Sequence, residues 1–296
     1  MNLKIQPPTR CPVCATEREQ FPAIARHAAV FQSREWVYVI YQCLFCHSEF
    51  AWPRKAAPPD WYAERGEYYG WRWEFDQFID DIKSLKVEDG HAPSTKICEV
   101  GCGEGILLEI VRSYGEVWGV ESNHRAAEIG RAKGLCIEVT DCNDFLDGHP
   151  ELKFGIVGCF QVLEHVEDPR AFLARIREAL NPGGWLFVSV PNPDRYMLYF
   201  ERESWDLPPH HLTRFSKNAL GMLFDQTGFK LTKIIPRPIV DSDREVIFKE
   251  VYRRMAWPRR LRQALKLPIR AASYPLAMWM RRVFEGQDLY VAARKN

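Results

Sequence analysis

The chain has 296 residues, 40 basic and 39 acidic, and a net charge of +1. Its length suits one large α/β domain with appendages, and its apolar and charged fractions are ordinary for a soluble protein. The first residues, Met1 to Pro8, contain no apolar stretch typical of a secretion signal. No uninterrupted apolar run is long enough to span a bilayer, so we do not expect an integral membrane protein.

Four cysteines near the amino end form two C-x₂-C pairs separated by 28 residues: Cys11 and Cys14, then Cys43 and Cys46. Four thiolates at this spacing can bind zinc tetrahedrally and replace a hydrophobic core that about fifty residues would not build alone. Residues 36–41 predict a strand, and residues 16–33 predict a loop. We predict a structural zinc ribbon over residues 1–55, with a redox dithiol or unmetallated pairs as alternatives. The other five cysteines are typical of small buried residues in a reducing cytoplasm.

Residues 56–95 are predicted to form an aromatic helical lid and linker. Eight aromatic residues lie between Trp61 and Phe78. The simpler interpretation is a helix that packs an aromatic face on a sheet. The alternative is a lid over a cationic ligand, because aromatic faces attract cations, and Tyr62 and Tyr69 would then contact that ligand. Residues 84–95 predict a loop.

Residues 96–121 predict a strand, a turn with three glycines, a helix and a second strand that ends in an acid. The glycines are Gly101, Gly103 and Gly105, and Glu121 lies 20 residues after the first of them. Glycines let the backbone turn sharply and approach a ligand, and an acid at this distance can accept hydrogen bonds from ribose hydroxyls. The spacing also fits a dinucleotide-binding oxidoreductase, or glycines that only pack the helix on the strand.

The stretch Glu99-Val-Gly-Cys-Gly-Glu-Gly105 resembles the first motif of class I S-adenosylmethionine (SAM)-dependent methyltransferases, [Asp/Glu]-x-G-x-G-x-G. The resemblance covers about residues 62–296. It implies a Rossmann-like α/β fold over residues 96–296, with a seven-stranded sheet of order 3-2-1-4-5-7-6 and an antiparallel strand 7. It also implies that SAM binds at Glu99, Gly101, Cys102, Gly103, Gly105, Glu121 and Ser122, with adenine recognised by Asp141 and Cys142. For Asp141, a helix cap is the alternative.

The strand predicted at 154–160 leads into Gln161-Val-Leu-Glu164-His165-Val-Glu-Asp-Pro169. This stretch resembles the post-strand motif of methyltransferases akin to the ubiquinone-biosynthesis O-methyltransferase, E-x-L-E-H-V-x-D-P. The resemblance implies a divalent cation held by two glutamates and a histidine. Here the first glutamate is Gln161, a poorer ligand, and we place it in the SAM site. His165 is a candidate catalytic residue.

The segment Pro208-Pro-His210-His211-Leu-Thr-Arg-Phe215-Ser216 follows a predicted strand, at the sheet edge where ligands bind in open α/β folds. In the resembled family, a histidine four residues before Phe-[Ser/Thr] lines the acceptor pocket, and His211 has that spacing. A neutral histidine near pH 7 suits removal of a hydroxyl proton. We predict His211 as the base, with His210 and His165 behind it. Histidines that only hold the loop are the alternative.

Residues 237–286 are predicted to be a basic amphipathic insertion between the last two strands. Its segment 251–284 carries nine Arg or Lys residues and no acid. This charge favours an anionic membrane surface, which would place the protein peripherally on the inner face of the membrane. A plain solvated helical face and a protein contact are alternatives. RNA is a third, because it attracts the same charges.

The sequence therefore predicts a SAM-dependent methyltransferase with structural Zn²⁺ that O-methylates a sugar, a glycolipid or another small hydroxylated acceptor. The zinc ribbon together with the Pro-Pro-His-His segment resembles methyltransferases of bacterial polysaccharide and glycolipid assembly. Two alternatives stay open. One is an RNA methyltransferase that grips RNA with the ribbon and the basic segment. The other is a SAM-binding scaffold without turnover.

Overall fold

The structure is a computed structural model that describes residues 6–17, 21–31, 34–58, 70–89, 95–195, 206–240, 243 and 285–296. The described residues form one sheet of four strands and one of seven. The proposed lid contacts Tyr62 and Tyr69 lie outside the described residues, and so do the basic segment 251–284 and most of the predicted insertion around it.

The four-stranded sheet contains β1 (Ala23–Phe31), β2 (Arg34–Gln42), β3 (Glu49–Trp52) and β9 (Thr213–Arg214). All neighbours pair antiparallel in the order β1-β2-β3-β9, so a strand from late in the chain completes the amino-terminal sheet. The strand predicted at 36–41 is part of β2. The loop predicted at 16–33 is wrong, because β1 forms there. β1 is rich in alanine and lacks an alternating pattern, and pairing with β2 overrides this weak strand propensity.

The seven-stranded sheet is mostly parallel, and the Rossmann-like α/β fold is confirmed. Its strands are β4 (Lys96–Val100), β5 (Glu116–Glu121), β6 (Ile137–Val139), β7 (Phe154–Phe160), β8 (Leu180–Pro191), β10 (Phe229–Pro236) and β11 (Asp288–Lys295). They lie in the order β10-β11-β8-β7-β4-β5-β6, which is 6-7-5-4-1-2-3 when β4 is counted as the first strand. β11 runs antiparallel to both of its neighbours.

Six helices are described: α1 (Trp73–Asp89), α2 (Ile106–Val111), α3 (His124–Ala132), α4 (Cys142–Gly148), α5 (Pro169–Ala179) and α6 (Lys217–Gln226). Four of them begin after a side chain that accepts backbone N–H groups, namely Asn123, Asp141, Asp168 and Ser216. In the described part of the chain, no helix combines the length and apolar character that crossing a membrane would require.

Helix α1 covers one face of the large sheet with aromatic side chains. The ring of Phe78 lies 5.2 Å from that of Phe160 and 5.1 Å from that of Phe187, and Phe75 lies 5.6 Å from Phe160, all edge to face. For Phe75 and Phe78 the simpler interpretation therefore holds, in which a helix packs its aromatic face on a sheet. The loop predicted at 84–95 is wrong in its first part, because α1 continues to Asp89.

Candidate active site

The glycine turn after β4 requires glycine. Gly101, Gly103 and Gly105 have φ angles of 73°, 54° and 72°, in the left-handed region that side chains disfavour. A Cβ atom on Gly101 would lie 2.5 Å from Val162, and one on Gly105 would lie 2.3 Å from Leu135. The backbone of the turn is therefore fixed in a shape that other residues would not adopt.

Glu121, at the end of β5, holds this turn in place. One carboxylate oxygen accepts the N–H of Gly103 at 2.8 Å, and the other accepts the N–H of Asn123 at 2.7 Å. Burial raises the pKa of Glu121, while these hydrogen bonds and those from Ser122 oppose the rise. Each carboxylate oxygen has two lone pairs, so Glu121 can build the turn and still accept from a ribose hydroxyl.

Glu99 is the last residue but one of β4, two positions before Gly101, and is 4% exposed. Its Oε2 atom has no hydrogen-bond partner among the described residues, and burial raises the pKa of its carboxyl group well above the ordinary range. A buried polar atom without a partner is rare in a native fold. Beside a glycine turn, it fits a site that is completed by a polar ligand group.

Asp141 and Cys142 lie at the start of α4, next to the end of β5. Asp141 Oδ1 accepts the N–H groups of Asn143 and Asp144 at 2.8 and 3.0 Å. This is the capping role that the sequence left as the alternative. The carboxyl of Asp141 is exposed and Cys142 is buried. A part in adenine binding stays a prediction for both.

Gln161 follows β7 and is one of three residues other than glycine with a positive φ in the described chain. Its amide nitrogen donates to Ser189 Oγ at 3.2 Å and to Asp288 Oδ1 at 3.3 Å. Ser189 in turn donates to Glu74 of α1 at 3.2 Å. Burial and the charge of Glu74 raise the pKa of Asp288 to about 7. No motif in the sequence marks this acidic group, because it joins residues far apart in the chain.

The three predicted catalytic histidines lie together. His165 ends a 3₁₀ turn after β7, and its ring centre lies 4.6 Å from that of His210 and 4.9 Å from that of His211. His165 Nδ1 is 2.6 Å from the backbone carbonyl oxygen of His210, which ties the two segments together. The prediction that these residues share one site is therefore consistent with their positions, while their chemical roles stay predictions.

Asp206 orients His211, and the sequence analysis missed it. Its Oδ1 is 2.9 Å from His211 Nδ1, and its Oδ2 pairs with Arg195 at 2.5 Å and Arg214 at 2.8 Å. Burial opposes ionisation, but the hydrogen bond from His211 and the two arginines lower the pKa of Asp206 to about 2. An ionised Asp206 can only accept, so His211 Nδ1 carries a proton and Nε2 is the basic nitrogen. Burial lowers the pKa of His211, which keeps the ring neutral at pH 7.

Glu164 lies between two of these histidines and is fully buried. Its Oε1 is 3.8 Å from His165 Nε2 and 4.0 Å from His211 Nε2. Neither of its oxygens accepts a hydrogen bond within the described ranges, and burial raises its pKa well above the ordinary range.

Residues 71–234, more than half of the chain, match a family described as a methyltransferase domain. The chain belongs to this family. It is similar to the ubiquinone biosynthesis O-methyltransferase of Thiobacillus denitrificans, with 34% identity over 125 residues that cover 38% of this chain and 53% of that protein. The enzyme of the same name from a Bradyrhizobium strain is 28% identical over 199 residues, 60% of this chain and 77% of that protein.

This methyltransferase-domain chain spans about half the length of several curated relatives that it matches. Among solved structures, it is similar to a SAM dependent methyltransferase from Archaeoglobus fulgidus. The TM-score is 0.49 and the sequence identity 18%, with 73% of this chain and 93% of that chain covered.

The divalent cation implied by the motif at 161–169 does not fit the residues that this chain has at the motif's ligand positions. Gln161 replaces one of the two glutamates, and its amide nitrogen is bonded to Ser189 and Asp288. Glu164 is then the one carboxylate left of the motif's ligand set. A hard cation such as Mg²⁺ requires an oxygen-rich ligand set. We therefore assign no reaction step to a metal at this position.

The four amino-terminal cysteines lie outside the matched family region and are all buried. The Sγ atoms of Cys11 and Cys46 are 3.8 Å apart and those of Cys14 and Cys43 are 3.6 Å apart, with all four within 4.8 Å of one another. Tetrahedral zinc with bonds of about 2.3 Å places sulfur atoms about 3.8 Å apart. Each cysteine pair is followed by a turn of the same conformation. The residues directly after Cys14 and Cys46 are Ala15 and His47, and their φ angles are 60° and 61°. The cluster therefore fits Zn²⁺.

Proposed function

We propose that this protein transfers the methyl group of SAM to a hydroxyl group of a small acceptor, such as a sugar or a glycolipid. The observation that supports this most strongly is the position of two groups at the carboxyl edge of the parallel strands. The glycine turn bonded to Glu121 lies at the ends of β4 and β5, and the pair of His211 and Asp206 contacts the segment that follows β7. Ligands of open α/β sheets bind at this edge.

On this proposal, Glu121 accepts from the ribose hydroxyls and the orphaned oxygen of Glu99 accepts from a donor group of SAM. Asp141 and Cys142 contact the adenine. When bound, SAM supplies an electrophilic methyl group. The protein accelerates the transfer mainly by holding the acceptor oxygen in line with that methyl group.

His211 is the proposed base. Its Nε2 would take the proton of the acceptor hydroxyl as the oxygen–carbon bond forms and the methyl–sulfur bond of SAM breaks, with the neutral thioether as the leaving group. Asp206 fixes the reactive tautomer through Nδ1 and stabilises the imidazolium that results, as a carboxylate does in other histidine-dependent enzymes. His165 and His210 complete the wall of the acceptor site. The curated relatives named above are O-methyltransferases by name, which supports a hydroxyl acceptor.

Residues 1–55 are proposed to be a zinc module held by Cys11, Cys14, Cys43 and Cys46, with the metal in a structural role. Four cysteine ligands leave no open coordination position for catalysis. For the whole protein we propose a cytoplasmic location, peripheral to the membrane through the basic segment 251–284.

The experiment is incubation of the purified, zinc-loaded protein with methyl-labelled SAM and separate lipid, polysaccharide and RNA extracts. Label in the lipid or polysaccharide fraction supports the proposal, and label in RNA alone contradicts the acceptor class. Binding of NADH, with no binding of SAM or S-adenosylhomocysteine (SAH), contradicts the proposal that SAM is the methyl donor. His211→Ala is expected to lower turnover by about tenfold or more while SAH affinity stays nearly unchanged. Unchanged turnover would refute the role of His211.

A further inference from the structure

Arg54 lies just after β3, and its side chain reaches both segments that carry the candidate catalytic histidines. Its Nε and Nη2 atoms donate to the carbonyl oxygens of Glu167 at 2.8 Å and Val166 at 2.6 Å. Its Nη1 atom donates to the carbonyl oxygen of Leu212 and to the hydroxyl of Thr213, both at 2.7 Å. One guanidinium group therefore joins the two segments through four hydrogen bonds.

These hydrogen-bond acceptors are chain neighbours of the histidines. Val166 directly follows His165, and Leu212 directly follows His211. The N–H of Leu212 also donates to the carbonyl oxygen of Glu164 at 2.8 Å, so the segments touch where Arg54 clamps them. Peptide groups are rigid planes, so fixing the carbonyls at 166 and 212 restricts the backbone that positions both rings.

The chemistry of this clamp requires arginine. A guanidinium group is a planar fork of five donors, whereas the ammonium of lysine is a single point of charge on a flexible stem. Burial lowers the pKa of Arg54 to about 10, with Asp168 and Glu167 opposing the change, so the side chain stays charged at neutral pH. Hydrogen bonds from a charged donor are roughly twice as strong as neutral ones.

The amino-terminal module reaches the same histidines by a second route. β3 pairs with β9, and Arg214 of β9 bonds Glu49 of β3 at 2.9 Å and Asp206 at 2.8 Å. Asp206 is the carboxylate that holds His211. The hydroxyl of Ser216, after β9, donates to the carbonyl oxygen of Cys46 at 2.6 Å. The module that carries the four cysteines is thus bonded to Arg214 and Ser216, after the histidines, and through Arg214 to Asp206, before them.

We propose that Arg54 is a positioning residue for methyl transfer. It holds His165 and His211 in their reactive arrangement. Because Arg54 belongs to the cysteine module, that module forms part of the acceptor site and is not a separate module for docking a partner. The inference rests on the proposed function, because it gives Arg54 a role in the reaction for which His211 is the base. Arg54 acts through the histidines.

The test compares Arg54→Lys and Arg54→Ala with the wild type, using labelled SAM at saturation and the extract fraction that accepts label. We expect both variants to lose about tenfold or more in rate, because small misplacements of reacting groups are costly. SAH affinity by calorimetry and zinc content are expected to stay unchanged. Added guanidinium chloride at low concentration should restore part of the rate of Arg54→Ala, and the same concentration of sodium chloride should not. Arg26→Ala, at an exposed position of β1, is the matched control with the wild-type rate.

A rate near that of the wild type in Arg54→Lys overturns the inference, and so does a loss of SAH affinity in proportion to the loss of rate. If Arg54→Ala does not fold, Thr213→Val removes one of the four bonds at nearly constant shape. A smaller loss of rate supports the inference, and no loss overturns it. A wild-type protein that binds SAH and transfers no label overturns the proposed function instead. In that case the ¹⁵N resonances of the imidazoles test whether Arg54 positions the histidines. Arg54→Lys should shift the resonances of His165 and His211, and Arg26→Ala should not.

Discussion

Glu121→Gln tests the donor site most directly, because it keeps the shape of the side chain and turns one oxygen into an NH₂ group. Both oxygens accept backbone N–H groups in the structure, from Gly103 at 2.8 Å and from Asn123 at 2.7 Å. Whichever way the amide is oriented, one of these donors faces another donor. Losing a hydrogen bond to a charged acceptor costs about 1.5–3 kcal/mol. We therefore expect a melting temperature lower by several degrees.

The same substitution should weaken the binding of SAH. A ribose hydroxyl that donates to a neutral amide gives up roughly half the strength of its bond to a carboxylate, and the glycine turn loses one of its supports. A change of about 1.4 kcal/mol is a factor of ten in affinity. Calorimetry of Glu121→Gln with SAH should therefore show a dissociation constant about tenfold higher. The 2′-deoxy derivative of SAH should lose less, because it lacks one of the hydroxyls.

The control is Glu116→Gln, at the other end of the same strand β5. Glu116 is exposed, and its carboxylate accepts from the indole N–H of Trp118. The Glu116→Gln variant should bind SAH as the wild type does. Equal affinity of Glu121→Gln and the wild type for SAH would refute the reasoning. An equal loss for SAH and its 2′-deoxy derivative would show that Glu121 makes no contact with the 2′-hydroxyl.

Three further outcomes are expected. Removal of zinc by a chelator, or Cys14→Ser, should lower the melting temperature measured by calorimetry and slow methyl transfer. SAH affinity should change little, because the proposed donor site lies on the other sheet. The loss of turnover on the acid side of a pH–rate profile should occur at lower pH than an ordinary histidine would give, because burial lowers the pKa of His211 and the base must be neutral. Phe78→Ala should cost about 3–5 kcal/mol in urea unfolding, because this ring is buried between Phe160 and Phe187.

Local sequence signals predicted the glycine turn and its neighbouring acid well. The glycines and Glu121 lie within one strand–turn–helix–strand unit, and their spacing alone indicates a left-handed turn beside an acid. The cysteine pairs are a comparable case, because each pair forms its own turn. Strand β1 was missed because its alanines carry little strand preference, and its formation depends on pairing with β2.

The histidine cluster was only partly predictable, since it is assembled across the chain. The histidines stand out in the sequence, but Asp206 has no motif that marks it as their partner. Arg54 lies 112 residues before Val166 and 158 before Leu212, the residues that it joins. No periodicity or spacing rule connects positions so far apart. Contacts of this kind follow from the pairing of β3 with β9, which the sequence analysis did not foresee.

The charge of the site separates the two ligands that the glycine spacing allows. Glu99, Glu121, Glu164 and Asp288 are all buried or nearly so at the carboxyl edge of the sheet, and burial raises the pKa of each. Arg72 lowers the pKa of three of them, yet burial outweighs it. The pyrophosphate of a dinucleotide would bring two more negative charges to this edge, which would oppose ionisation of these carboxyl groups further. SAM carries a positive sulfonium and an ammonium group, which would stabilise the ionised carboxylates. The electrostatics of the edge thus favour SAM over a dinucleotide, independently of the glycine motif.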